Sequence, residues 1–216
     1  MLKYLFDRIV SLIGLLIIWP VMLVIAILIK VKMPDGPVIF RQKRVGKNGK
    51  LFTCHKFRTM ADDSYNSSVT LMDEAPITPL GTRLRRYHLD ELPQLWDVFI
   101  GKMSFVGPRP DVPGYADMLQ GDNRDMLRLR PGITGPATLK YRDEEEMIAE
   151  YVAQQQAQGD TRHALDIAVE YNDKVLFPDK VRLNCYYYRN YSFRTDIKII
   201  LATVFGKKIT YAGEEI

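Results

Sequence analysis

Chemistry in this sequence is concentrated where two acids meet a run of cations. Asp90 and Glu91 stand side by side before Leu92-Pro93, and Arg83, Arg85, Arg86 and His88 crowd the positions just upstream. Lys56 and Arg58 lie earlier in the chain, in the stretch Lys56 to Met60. Arg109 and Arg130 follow later, in Gly107-Pro108-Arg109-Pro110 and Arg130-Pro131-Gly132. Proline fixes φ, so both of those loops should be stiff. Guanidinium groups grip phosphate oxygens bidentately. A carboxylate among them can attack phosphorus and form an acyl phosphate, or share a magnesium ion with phosphate oxygens. With Pro93 in a first helical turn, Asp90 is expected at the N-cap, its pKa depressed and its charge retained by the cations and the helix terminus. The same residues also have a plainer reading. Asp90 could be only a cap, worth about 1 kcal/mol, and the arginines only a solvated basic surface.

These side chains need elements to position them. Residues 37–60 read as two short strands about a Gly-Lys-Asn-Gly turn, with Val38, Phe40, Leu51 and Phe57 as their apolar contributions. Asp62 to Pro79 is polar and proline-bounded, which predicts a loop. Leu92, Leu95, Trp96, Phe99 and Ile100 recur at helical spacing, with Gly101-Lys102 as the stop. Asp143 to Gln158 predicts a polar helix opened by acids. After the aromatic cluster Tyr186, Tyr187, Tyr188, Tyr191 and Phe193, a final helix places Ile197, Ile200, Leu201 and Val204 on one face and closes at Gly206-Lys207-Lys208. That face fits either a membrane interface or the protein core.

The first element is apolar. Ile9 to Ile29 contains no charge, and at about 1.5 Å per residue such a run is long enough to cross a hydrocarbon core. It is too long for a signal h-region, and the following Lys-Val-Lys-Met-Pro offers no cleavage site, so the segment is expected to stay and to sit in the membrane. Lys3 and Arg8 precede it and Lys30 and Lys32 follow it, which favours holding both ends on the cytoplasmic side. Pro20 lies at its middle, beside Trp19. Both a slightly kinked single-pass anchor and a helix that bends back within one leaflet satisfy these residues.

Composition agrees with a membrane-bound globular protein. The 216 residues are 47% hydrophobic and 26% charged, enough for one core and incompatible with disorder. Residues 1–60 hold eleven Lys and Arg against Asp7 and Asp35, a net +9, so that the remainder carries −5 of the overall +4. A basic front flanking an apolar segment points to anionic lipid headgroups rather than nucleic acid. Two separated cysteines, Cys54 and Cys185, provide neither a disulfide framework nor zinc spacing, as expected for reduced thiols facing the cytosol.

Together these motifs resemble the small monotopic bacterial phosphoglycosyl transferases, which are polyprenyl-phosphate sugar-1-phosphate transferases. The resemblance rests on the apolar segment with Pro20, KFRTM (Lys56 to Met60), Arg85 ahead of LDELPQLWDV, GKMSFVGPRP (Gly101 to Pro110), RPGITG (Arg130 to Gly135) and the YYYRNYSFRTDIKII stretch. LDELPQ, FVGPRP and RPGITG in this order are highly specific. The resemblance implies an α/β fold, mostly α with a small β element. Residues 1–34 would form a re-entrant membrane hairpin bent near Pro20, and residues 35–216 a compact catalytic domain with interfacial amphipathic helices on the cytoplasmic face of the bacterial inner membrane. It further implies that Asp90 attacks the β-phosphorus of a UDP-sugar, that Glu91 is its dyad partner and that Mg²⁺ sits at Asp90. Lys56, Arg58, Arg85, Arg109 and Arg130 would bind phosphates. The acceptor would be polyprenyl phosphate, undecaprenyl phosphate by expectation. The product would initiate capsule, O-antigen, exopolysaccharide or glycoconjugate assembly for downstream glycosyltransferases.

This sequence departs from the pattern in two places. Trp19-Pro20 stands where many members have Ser-Pro, so no hydroxyl is available there for a freed carbonyl. After PGITG the chain continues with Pro136 to Arg142 and a long insertion reaching Pro178, a region expected to influence the choice of sugar. The competing reading of the whole chain is a catalytically inactive membrane-anchored protein that binds anions or lipids. A pure anion binder would gain nothing from Asp90-Glu91 among its cations.

Overall fold

The computed structural model describes residues 2–61 and 77–216. The loop expected over Asp62 to Pro79 therefore lies largely outside the described residues. Its end is helical, because Pro79 opens a helix at the first position, where a missing N–H costs nothing.

The apolar segment is one helix, α1 (Leu2–Lys32), and helical structure continues through Pro20. The sequence expected a bend or slight kink here, and the helix is not interrupted at it. A single proline removes one hydrogen bond, and twelve residues on its C-terminal side and eighteen on its N-terminal side sustain the helix around it. The less exposed positions of α1 recur at Lys3, Asp7, Ser11, Gly14, Ile18, Met22, Ile25 and Ile29, and Met33 continues the series just beyond. This spacing of three and four marks one face turned to the rest of the protein along the whole helix. The opposite face is apolar and uncovered: Leu16, Ile17, Val24 and Val31 are all more than half exposed.

Both ends of α1 are fastened. At the start, Lys3 Nζ donates to Asp196 Oδ2 at 2.8 Å and to the Val106 carbonyl at 2.9 Å. Asp7 accepts from Ser104 Oγ at 2.8 Å, and Arg8 donates to the Phe99 carbonyl. At the far end, Ile25, Ile29 and Met33 pack with Phe57 and Leu84. There the buried Arg58 donates to the carbonyls of Met33 and Asp35.

The strands occur in pairs. β1 (Ile39–Val45) and β2 (Leu51–Phe57) form the expected antiparallel hairpin, with Phe40 opposite Lys56 and Gln42 opposite Cys54. Asn48 and Gly49 take positive φ in its turn, conformations that Asn and Gly tolerate best. After the short helices α2 (Pro79–Arg86) and α3 (Gln94–Phe99), β3 (Ser104–Val106) pairs in parallel with β4 (Gly132–Thr134). Gly107 N–H donates to Thr134 O and Gly132 N–H to Pro108 O, so the two motif loops lie backbone against backbone. A Cβ at Gly107 would strike the Arg130 carbonyl, and one at Gly132 would strike Gly107 itself, so both positions need glycine.

The C-terminal half is helical: α4 (Pro136–Lys140), α5 (Glu144–Ala157), α6 (Ala164–Tyr171), α7 (Phe177–Arg189) and α8 (Phe193–Phe205), then a small hairpin of β5 (Thr210–Tyr211) and β6 (Glu214–Glu215). The fold is thus mostly α with small sheets, as the sequence suggested. On α8 the core side is Asp196, Ile199 and Ala202, whereas Leu201, Val204 and Phe205 are at least half exposed. The apolar face read from the sequence therefore points away from the core over its C-terminal part.

Candidate active site

Asp90 lies in a tight 3₁₀ turn, Leu89–Glu91, entered through His88 at φ 52°. Glu91 N–H donates to His88 O at 3.2 Å and Leu92 N–H to Leu89 O at 3.4 Å. Pro93 has no N–H to offer, and α3 begins only at Gln94. Asp90 is thus not the N-cap of α3, contrary to expectation; the turn inserts three residues between them. The expected apolar stripe is present, but Trp96 and Ile100 are exposed, while the buried side of α3 carries Gln94, Asp97 and Val98. Leu95 faces Gly14 of α1.

The two acids have opposite environments. Glu91 receives Lys56 Nζ at 2.7 Å and Arg109 Nη2 at 2.6 Å on Oε1, and Arg109 Nη1 at 3.4 Å on Oε2. Burial alone would raise its pKa, but the charges and hydrogen bonds of Arg109 and Lys56 outweigh burial and hold it well below the usual carboxylate range. Glu91 in turn raises the Arg109 pKa. Glu91 is therefore the permanently ionised member that gathers the cations.

Asp90 is only 7% exposed, and among the described residues its side chain has no hydrogen bond or ion pair. Burial pushes its pKa up, the Glu91 charge adds to that, and Lys56, Arg85 and Arg109 pull it down. The net shift is upward, which overturns the depressed pKa expected from the sequence. Desolvation inside the turn dominates because the nearest cations are already engaged by Glu91. Arg85 is held on the same side by Nε donating to the buried Thr59 Oγ1 at 3.2 Å.

Five of the seven site residues read from the sequence thus form one cluster: Asp90, Glu91, Lys56, Arg85 and Arg109. The other two are placed elsewhere. Arg58 is 3% exposed and spends its guanidinium on the carbonyls that end α1. It follows Lys56 by two residues but lies one residue past the end of β2, and its side chain turns to the end of α1. Arg130 lies over the Tyr4 ring at 4.1 Å, against the start of α1. The contacts of both are with α1 or the residues just past it.

Further residues join the site without having been identified from the sequence. Arg44 Nε donates to Gln42 Oε1 at 2.8 Å and Nη1 to the Pro110 carbonyl at 3.2 Å, which steadies the loop that carries Arg109. Asp111, two residues beyond Arg109, has its pKa pushed up to about 6 by burial, against the pull of Lys180 and Arg44. Alternation along β1 was the available signal: Phe40, Gln42 and Arg44 share the face of Lys56 once the register is known. A buried Asp97 accepts from His55 N–H at 2.9 Å and pairs with its Nδ1 at 2.7 Å, fixing α3 to β2.

Among the described residues no group of three His, Cys, Asp or Glu side chains is arranged to hold a metal. Among the described residues Asp90 has no direct ion pair, although Lys56, Arg85 and Arg109 act on it through space. It suits a magnesium ion whose other ligands come from substrate phosphates and water, which is how this ion is usually held. The cluster as a whole can hold a diphosphate beside a buried carboxylate that is unpaired among the described residues.

The profile of the family described as bacterial sugar transferase matches residues 1–207. The chain is 33% identical over 219 residues to a UDP-glucose:undecaprenyl-phosphate glucose-1-phosphate transferase of Xanthomonas campestris pv. campestris, covering 97% of this chain and 40% of that protein. It is 40% identical over 148 residues to the exopolysaccharide production protein PSS of Rhizobium leguminosarum bv. phaseoli, covering 64% and 74%. It is 37% identical over 151 residues to an undecaprenyl-phosphate galactose phosphotransferase of Salmonella typhimurium, covering 62% and 31%. The chain thus spans less than half the length of two of these three relatives.

Proposed function

This chain belongs to the bacterial sugar transferase family, and from that premise we propose that it transfers a sugar 1-phosphate from a UDP-sugar to undecaprenyl phosphate through a phosphosugar carried on Asp90. The single observation that carries the mechanism is the contrast within the acid pair: Glu91 is saturated with cations, whereas Asp90 is buried and unpaired among the described residues. A carboxylate stripped of water and of hydrogen-bond donors is a stronger nucleophile than one clamped by guanidinium groups.

In the first step an Asp90 oxygen attacks the β-phosphorus of the donor. The bond from that phosphorus to the bridging oxygen breaks, and UMP leaves with the bridging electrons. Lys56, Arg85 and Arg109, whose charges act on Asp90, would offset the charge on the leaving group and on the equatorial oxygens. In the second step a phosphate oxygen of the polyprenyl acceptor attacks the same phosphorus, the acyl phosphate bond breaks, and Asp90 regains its carboxylate. Glu91 keeps Lys56 and Arg109 in place through both steps, a positioning role. Bound Mg²⁺, with Asp90 as its protein ligand, would supply further neutralisation of diphosphate charge.

The acceptor cannot leave the bilayer, so the cluster must lie near the headgroups. The exposed apolar face of α1 supports membrane embedding, as does its 31-residue length. Lys3 and Met33 both contact the same domain, which supports a topology with both ends of α1 at the cytoplasmic face and the helix immersed from that side. Exposed Leu201, Val204 and Phe205 on α8 support a second, interfacial contact.

The test is UMP release from a panel of UDP-sugars with Mg²⁺ and undecaprenyl phosphate. One sugar should be strongly preferred, and Asp90→Asn should lower turnover by about 10³-fold or more. An Asp90→Asn variant as fast as wild type overturns the covalent route.

A further inference from the structure

The β1–β2 hairpin has one strand edge that is open, and hydrogen-bond parity identifies it. In an antiparallel pair the N–H and C=O of one residue point to the partner strand and those of the next residue point away. Arg58 N–H donates to Val38 O at 3.0 Å and Gly46 N–H to Lys50 O at 3.0 Å, so the even-numbered residues along β1 face β2. The odd-numbered ones, Ile39, Arg41, Lys43 and Val45, present their backbone groups outward. Val45 N–H is taken by the Asp111 carbonyl at 2.8 Å. Ile39, Arg41 and Lys43 have no such partner among the described residues, and their sheet ends at two strands.

Along this edge runs an open groove of about 980 Å³, with Pro37 to Lys43 as one wall and Val112 and Pro113 as the other. The bond from Val45 to Asp111 closes one end of the edge. Pro113 has no N–H, so it does not extend that pairing along β1. The free length, Ile39 to Lys43, matches an extended segment of about five residues at roughly 3.3 Å each. Arg41 and Lys43 project to one face of the sheet, and both are exposed. Lys43 donates to Thr53 Oγ1 at 3.2 Å, and neither cation forms an ion pair among the described residues.

We infer that the free edge of β1 is a docking strand for another protein, which lays an extended acidic segment in the groove. Main-chain bonds to Ile39, Arg41 and Lys43 hold the segment. Its acidic side chains, spaced at alternate positions, fall opposite Arg41 and Lys43 on the same face. Proteins guard unpaired edges with charge, and here the guard is selective. A second copy pairing β1 to β1 would set Arg41 and Lys43 against their own equivalents, and like charges directly opposite destabilise a pair. An acidic strand meets the same two cations favourably. This edge shares no residue with the Asp90–Glu91 cluster.

The experiment takes the full chain in nanodiscs of neutral lipid and two end-blocked probe peptides, Glu-Val-Glu-Val-Glu and Lys-Val-Lys-Val-Lys. Binding is read by fluorescence anisotropy and by amide hydrogen exchange. Without peptide, the amides of Arg41 and Lys43 should exchange faster than those of Phe40 and Gln42; the acidic peptide should protect them. It should bind about tenfold more tightly than the basic one, and the double variant Arg41→Glu, Lys43→Glu should reverse that preference. Lys43→Pro removes an outward N–H, a change that an edge strand tolerates, and should cost more affinity than Lys43→Ala. The charge and proline variants test the inference separately, so it stays testable if one of them fails to fold. Equal affinity for the two peptides overturns it. Charge-dependent binding without protection of the Arg41 and Lys43 amides means a basic surface rather than a docking strand, and overturns it too. So does a Lys43→Cys variant that crosslinks to its own copy without peptide, because the occupant is then a second copy.

Discussion

Two adjacent carboxylates with opposite surroundings are the core of the proposed chemistry, and their titration makes them separable. In the proposed mechanism Asp90 attacks in its ionised form, so the rate should fall as pH drops through its folded pKa, which lies above the ordinary aspartate range. Glu91 contributes to that elevation. Replacing it by Gln removes a neighbouring negative charge and frees Lys56 and Arg109, so the acid limb of the pH–kcat/KM profile should move to lower pH. A limb that stays in place would mean that Glu91 does not act on Asp90. The same burial makes ionised Asp90 a cost to the fold at neutral pH: an acid with a raised folded pKa stabilises the protein only when protonated. Asp90→Asn should accordingly keep or raise Tm while abolishing turnover, as often seen at functional sites. Arg58 is the converse case. Arg58→Ala leaves the carbonyls of Met33 and Asp35 without a donor, so it should cost on the order of 1–3 kcal/mol of stability with little change in donor KM, measured by thermal unfolding and initial rates. At this scale the sequence was a good guide to which residue types mattered and a poor one to where they go. LDELPQ, FVGPRP and KFRTM marked Asp90, Arg109 and Lys56, but Arg58 and Arg130 look no different on paper. Only the path of α1, which each of them touches, separates them from the cluster.

Among the elements, α1 does the most to place the site. Its inward face recurs every three to four residues from Lys3 to Met33, a pattern hidden in the sequence because nearly every position is apolar. Amphipathicity is invisible when both the protein and the lipid accept the same side chains. The exceptions, Lys3, Asp7 and Ser11, are the legible part, and each pairs with the catalytic domain or its own turn. Lys3 is mostly buried against Asp196, which also accepts from Tyr187 and Tyr191. Lys3→Met should loosen the start of α1 and destabilise the protein by about 1–3 kcal/mol, seen as a lower Tm and faster proteolysis near residue 8; an unchanged Tm would show that the N-terminal fastening is dispensable. The β1–β2 hairpin was readable because Gly-Lys-Asn-Gly fixes its turn and hence its register. The 3₁₀ turn at Asp90 was not, because Pro93 suits either a first helical turn or the turn before it.

At the scale of the whole molecule, one apolar surface and one charged cleft share a short path. The outward face of α1 and the exposed end of α8 are both apolar. On the proposed reading a soluble donor and a lipid-bound acceptor meet at one carboxylate, a proximity effect. Topology follows from the two fastened ends of α1. With Leu2→Cys and Pro34→Cys introduced separately, a membrane-impermeant thiol reagent should label both from the cytoplasmic side only; the native Cys54 and Cys185 are buried and give little background. Labelling from opposite sides would mean a spanning helix and would contradict this placement. The insertion between Arg142 and Pro178 was legible only as helix and loop. Its packing, α5 on α6 around Ile148, Val152 and Ile167, depends on partners distant in sequence, which periodicity does not supply.

The most direct test of the covalent account omits the acceptor. Wild-type protein mixed with its preferred UDP-sugar and Mg²⁺, but no polyprenyl phosphate, should release close to one UMP per active site and gain the mass of one sugar phosphate on the peptide containing Asp90. UMP that appears only when polyprenyl phosphate is added, with no adduct on that peptide at any time, would contradict it and indicate direct transfer between the two substrates.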